Sequence, residues 1–209
     1  MDTFSKIFAV SLAYLRRCYR KIRGKLHDAK FALGRVTQAP PAVDKSIEVF
    51  IISPGGVAST MLLEYLSHYV STNCPHDADG FKHLPFPPAW LKETGQKVIF
   101  ISGDIDSICR SVEGRGWLAR QAAKLGSFGA ILFTILFLAP LARVFFKLAV
   151  RRQIYRWRAW CASETDQGLF IQYAEIWSSV ERIAEFCGIK DPGFVNSFPK
   201  YVPPAKPPP

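Results

Sequence analysis

Two short stretches of the chain carry residue types and spacings suited to chemistry. The first is Val49-Phe50-Ile51-Ile52-Ser53-Pro54-Gly55-Gly56-Val57-Ala58-Ser59-Thr60. An apolar, β-rich run ends in a glycine turn, two hydroxyl residues and the start of a helical pattern. That order builds an anion site. Glycines let the backbone come close, and the first free N–H groups of the helix point at the anion. Pro54, Gly55, Gly56, Val57 and Ala58 supply the turn, and Ser59 and Thr60 add hydroxyl donors. A plain strand-to-helix turn with a Ser/Thr cap fits the same letters. A nucleoside-triphosphate loop does not, because no Gly-Lys-Ser/Thr occurs and no Lys or Arg lies between Ser46 and Phe81. That absence counts against a P-loop phosphotransferase, which ATP binding would bring back.

The second stretch is Phe81-Lys82-His83-Leu84-Pro85-Phe86-Pro87-Pro88. A neutral imidazole held before a proline-stiffened turn is suited to taking a proton from an attacking hydroxyl. Lys82, its neighbour, would supply positive charge. Cys74, His76, Asp77, Asp79 and His83 lie close together in sequence, but their spacing matches no zinc pattern, so no metal is expected.

The elements that must position these residues follow from periodicity. The runs 47–52, 98–101 and 169–172 are short, apolar and bounded by turn residues, as buried parallel strands are. Each feeds a helical pattern, at 58–70, 105–113 and 174–187. Repeated strand-then-helix units predict an α/β fold, a three-layer sandwich with a central parallel sheet.

In this order the segments resemble those of the sulfotransferases that use 3′-phosphoadenosine 5′-phosphosulfate. The loop is similar to their 5′-phosphosulfate loop, usually close to Pro-Lys-Ser-Gly-Thr-Thr-Trp-Leu after a first strand. Phe81-Lys82-His83-Leu84-Pro85 resembles the Lys-Thr-His-Leu-Pro segment that carries the catalytic base. Phe170-Ile171-Gln172-Tyr173-Ala174-Glu175 and Glu181-Arg182-Ile183-Ala184-Glu185-Phe186-Cys187-Gly188 resemble the late Tyr-Glu-Asp strand end and the Ile-x-x-Phe-x-Gly helix. The resemblance covers roughly residues 47–113 and 167–190. It implies a P-loop NTPase-like fold and transfer of a sulfuryl group to a hydroxyl on a glycan, lipid or small molecule. The 5′-phosphosulfate would lie on residues 54–60, His83 would be the base and Lys82 would neutralise the leaving phosphate. Ser102, Arg110 and Ser111, with Ser107 beside them, fall where the family's 3′-phosphate strand and helix stand.

The chain departs from the pattern at several places. The loop lysine is absent, Ser102 stands near the family's strand arginine, and arginine and serine are exchanged or shifted at Arg110-Ser111. No Arg-Lys-Gly segment precedes Pro209. These departures favour a second reading, a catalytically impaired protein of the same fold that acts as a membrane-surface binding module.

Composition bounds the rest. Of 209 residues, 49% are hydrophobic and 21% charged, which excludes a disordered chain and favours one domain. Five scattered cysteines (Cys18, Cys74, Cys109, Cys161, Cys187) form no paired motif, so a reducing, cytoplasmic setting is expected.

The net charge of +10 is concentrated in two segments. Residues 1–35 carry net +7 and residues 114–163 carry net +9, with no acid in the latter. Both are strongly apolar as well. That combination points to an anionic membrane surface and away from nucleic acid. Residues 1–35 read as a basic amphipathic helix with Phe4, Phe8, Leu12, Leu15, Tyr19, Ile22 and Leu26 on one face. A signal peptide would carry its charge before the apolar run, whereas Arg16-Arg17 follow it. Residues 36–46, with Pro40-Pro41, read as a linker, residues 47–197 as the α/β domain, and 198–209 as a loose Pro-rich tail.

The apolar segment 128–150 has three readings: a buried core helix, a helix lying in a membrane surface, or a span. Phe128–Ala142 is shorter than the about 20 residues a span needs and is interrupted by Pro140. A peripheral or anchored protein is the expectation. Gly114-Arg115-Gly116-Trp117 reads as a connection between helices, with a mobile loop at the site mouth as the other possibility.

Overall fold

The computed structural model describes residues 44–136 and 138–201. The helix expected over 1–35, most of the linker and residues 202–209 lie outside the described residues.

Three apolar runs form one all-parallel sheet in the order β1 (Val49–Ile52), β2 (Lys97–Ser102), β3 (Gly168–Gln172). Ile51 pairs with Ile99, and Ile99 with Leu169. Side chains alternate across the pleat, and both sets are buried. Val49, Ile51, Ile99, Ile101, Leu169 and Ile171 enter the larger core. Phe50, Ile52, Val98 and Phe100 face the other way, onto Phe81, Leu84, Leu91, Trp157 and Trp160. Phe100 is stacked between Trp157 and Phe170, with ring centroids 5.7 Å from each. Helices therefore cover both faces, as the strand-then-helix order predicts.

β1 gains a partner on its other side. Val49 makes a parallel bridge to Thr72, and the Asn73 side chain continues it: its Oδ1 accepts from Ile51 N–H at 2.7 Å while its Nδ2 donates to Ile51 O at 3.2 Å. A buried amide thus stands in for a further strand residue.

The helices are α1 (Ser59–Leu66), α2 (Trp90–Thr94), α3 (Ile105–Gly114), α4 (Leu118–Lys124), α5 (Phe128–Ile135), α6 (Ala139–Ser163), α7 (Val180–Cys187) and α8 (Gly193–Asn196). Two expectations change. The helix expected over 174–187 begins as a 3₁₀ turn, Tyr173–Glu175, and turns helical only at Val180. The apolar segment 128–150 is not one helix: α5 ends at Ile135, and α6 starts at Ala139 with Pro140 in its first turn, where proline costs no hydrogen bond. The two fold against each other. Phe133 stacks on Phe145 at 5.2 Å, and Gly129 lets them close, since a Cβ there would stand 2.6 Å from the Phe145 ring. Among the described residues, no helix is long and apolar enough to cross a membrane. The packed domain also extends past 197: Phe198 is buried, and Pro199 O accepts from the Trp177 indole at 2.9 Å.

Candidate functional site

The loop between β1 and α1 lies at the C-terminal edge of the sheet, where open parallel sheets place their ligands. Its backbone follows from its glycines. Gly55 (φ 96°) and Gly56 (φ 70°) take left-handed values, and Ala58 (φ 53°) takes one as the residue before α1. Two contacts and its backbone favour glycine at Gly56. A Cβ there would meet Ser111 Cβ and Oγ at 3.1 Å, and its φ strains any other residue. Val57 packs so tightly on β2 that a Cβ at Gly103 would stand 2.8 Å from its Cγ1. The loop is thus clamped between α3 and the end of β2, beside the buried Ser102.

This conformation leaves donors unspent. Gly55 N–H donates to Ser53 Oγ at 3.3 Å. The next backbone donor to find a partner is Leu62 N–H, which bonds Ala58 O at 3.2 Å. Among the described residues the N–H groups from Gly56 to Met61 have no acceptor. They form a consecutive run with the positive end of the α1 dipole behind it.

The side chains around the run divide into structural and free groups. Ser59 is buried, and its Oγ accepts from Ser53 Oγ at 2.9 Å, so it locks the loop from beneath. Thr60 Oγ1 accepts from Lys82 Nζ at 2.6 Å, which leaves its own hydroxyl hydrogen free. Lys82 also donates to Pro75 O at 2.6 Å. A cation therefore stands at the start of α1, although the loop contains none. Burial pushes the Lys82 pKa down, and Asp77 opposes the shift.

His83 is brought to the same place because Ser53 N–H donates to Lys82 O at 2.9 Å, pairing the end of β1 with residues 81–85. The same segment is held from below by Gln153 Nε2 and Trp157 Nε1, which both donate to Leu84 O, at 2.8 and 3.0 Å. His83 Nδ1 lies 2.7 Å from Ser53 O. A carbonyl only accepts, so Nδ1 carries the hydrogen and Nε2 keeps the lone pair. Burial lowers the imidazole pKa to about 4, so the ring is neutral at pH 7. Compared with known proteins, the chain matches no family model, no curated protein and no solved structure.

Two residues of α4 complete the site without having been singled out from the sequence, and they act together with Asp77, Asp79 and Ser53. Gln121 on α4 donates to Pro54 O at 2.8 Å, and its amide packs where a Gly55 Cβ would be, at 3.1 Å. Lys124, one turn on, pairs with the buried Asp77 at 2.5 Å. The other Asp77 oxygen accepts from Lys82 N–H at 3.0 Å. Ser53 ties the loop to α1. Asp79 closes the preceding turn through Cys74 N–H and Phe81 N–H. Among the described residues no cluster of three or more His, Cys, Asp or Glu is placed to hold a metal.

The 3′-phosphate candidates separate. Ser111 touches the loop at Gly56. Arg110 is exposed and donates to Ser107 Oγ at 3.0 Å, on the surface of α3. Gly114–Trp117 connects α3 to α4, with Trp117 exposed beneath the Arg115 guanidinium.

A cavity of about 580 Å³ opens at the other end of the sheet, beside Lys97 and Gly168, the first residues of β2 and β3. Its walls mix Arg158 and Arg182 with Asp166 and Glu185, and Lys97 Nζ is committed to Phe186 O at 2.6 Å. Among the described residues its lining holds no histidine.

Proposed function

We propose that the chain is a sulfotransferase of P-loop NTPase-like fold that binds 3′-phosphoadenosine 5′-phosphosulfate on the loop after β1 and passes its sulfuryl group to a hydroxyl acceptor. The observation that carries the reading is the run of unpartnered N–H groups from Gly56 to Met61 with Lys82 Nζ against Thr60. It supplies positive charge where the loop sequence has none.

In this reading the N–H run and the Thr60 hydroxyl hold the 5′-phosphosulfate. The acceptor oxygen attacks sulfur, the bond from sulfur to the bridging phosphate oxygen breaks, and the electron pair stays on the phosphate. Lys82 and the N–H groups bear that charge, and His83 Nε2 takes the acceptor proton. Ser111 stands beside Gly56 as the group nearest in place for the 3′-phosphate. With a pKa of about 4, His83 is a weak base, so positioning and charge would supply most of the acceleration.

That low pKa also favours a second reading, donor binding without turnover. Calorimetric titration with 3′-phosphoadenosine 5′-phosphate, against ATP and ADP, tests both. Selective binding with sulfuryl transfer to a hydroxyl panel supports the enzyme. Selective binding without transfer leaves the binding module. No binding by folded protein removes the donor site, and preference for ATP returns the phosphotransferase.

A further inference from the structure

We propose that the outer face of the α5–α6 hairpin docks on an anionic lipid bilayer. The inner face is spent on the domain: Ala130, Ile131, Ala142 and Phe146 are buried. The outer face is not. Phe128 (54% exposed), Leu132, Leu136, Leu141, Val144 and Leu148 all stand in solvent, although each is a side chain that burial favours. Both rows lie on one hairpin, since α5 packs along the first part of α6. Monomeric proteins seldom leave so many neighbouring large apolar groups uncovered.

The same stripe of α6 then changes character. Steps of three and four residues lead from Leu141 through Val144 and Leu148 to Arg151, Arg152 and Tyr155, the last 75% exposed. Among the described residues, no carboxylate pairs with Arg151 or Arg152. An apolar wedge followed by arginines and a tyrosine matches a bilayer surface, with acyl chains at one end and phosphates at the other. Because the segment is broken between Ile135 and Ala139, it would lie in the interface and not cross it.

Charge selects this occupant over two others. Residues 1–35 of the chain carry net +7, and a second copy would bring the same arginines. Both are repelled by the basic half of the face, whereas anionic headgroups are attracted.

The test is co-flotation of the full chain with phosphatidylserine–phosphatidylcholine vesicles and with pure phosphatidylcholine. The chain should float with the anionic vesicles only, and amide exchange should slow across α5 and the first half of α6. Leu141→Ser/Leu148→Ser should weaken binding about tenfold or more, and Arg151→Glu/Arg152→Glu should abolish the preference for anionic lipid. All four residues are exposed, and unchanged circular dichroism would confirm that the variants fold. Flotation unaffected by either variant, or no flotation, would overturn the proposal. Concentration-dependent dimers lost in Leu141→Ser/Leu148→Ser, without vesicle binding, would assign the face to a second copy instead. None of these outcomes depends on sulfuryl transfer.

Discussion

Lys82 Nζ donates to Thr60 Oγ1 at 2.6 Å, so a lysine from one segment reaches the helix start of another, 22 residues earlier in the chain. The contact orients a charge toward the free N–H run of α1, in a site where water screens it less than at the surface. Lys82→Met keeps most of the buried stem and removes the charge. It should weaken binding of 3′-phosphoadenosine 5′-phosphate about tenfold or more by calorimetry, the scale of one charge-assisted hydrogen bond. Equal affinity in the two proteins would remove Lys82 from the site.

The clamp on the loop has its own test. Gly103→Ala places a Cβ where Val57 Cγ1 stands at 2.8 Å. Overpacking of this kind costs about 1–3 kcal/mol. Val57→Ala removes the obstructing methyl, so the double variant should be more stable than the two single losses added together predict. Denaturant unfolding of the four proteins reads the coupling directly. Strict additivity would mean that the loop does not rest on the end of β2.

Asp77 tempers the site's charge. It is buried, pairs with Lys124 and accepts from Lys82 N–H. Asp77→Asn keeps an acceptor for the N–H and leaves both lysines uncompensated. Anion affinity should rise several-fold, and more so at low ionic strength where screening is weak. Stability should fall by about 1–3 kcal/mol, because Lys124 loses a partly buried partner. Weaker anion binding in a folded variant would show that Asp77 positions Lys82 more than it offsets its charge.

The parts of this architecture that were legible in the sequence are local. β1 and β2 announce themselves as Val49-Phe50-Ile51-Ile52 and Val98-Ile99-Phe100-Ile101, because burial on both faces of a parallel strand demands unbroken apolar runs. Gly55-Gly56 and His83 stand out because only particular residue types suit a tight turn or a proton transfer. Gln121 and Lys124 left no such trace, and Asp77 stood out only as part of a cluster without a zinc spacing. Their places depend on α4 folding back over the loop, and nothing within a few residues of Lys124 encodes an aspartate 47 positions earlier. The α5–α6 break was half legible: Pro140 marks the start of α6, but the run through Leu136 and Leu138 stays apolar, so the end of α5 shows only in the fold.

His83 supplies the last test, through pH. Its imidazole falls from an ordinary 6.5 to about 4 on folding, mainly because burial disfavours the charged ring. Between those values the unfolded chain binds the proton more readily than the folded one. The contribution is therefore fully present above pH 6.5 and is lost as the pH falls toward 4. At about 1.4 kcal/mol per pH unit, the loss approaches roughly 3 kcal/mol at the acid end. His83→Gln has no such proton to exclude. Its melting temperature should therefore fall less steeply than that of the parent between pH 6.5 and 4.5, since the carboxylates that titrate there are common to both proteins. Parallel profiles would mean that the ring is hydrated and titrates normally. It would then be partly protonated at neutral pH, unable to offer Nε2 as a base in every molecule, and the proton step assigned to it would need another acceptor.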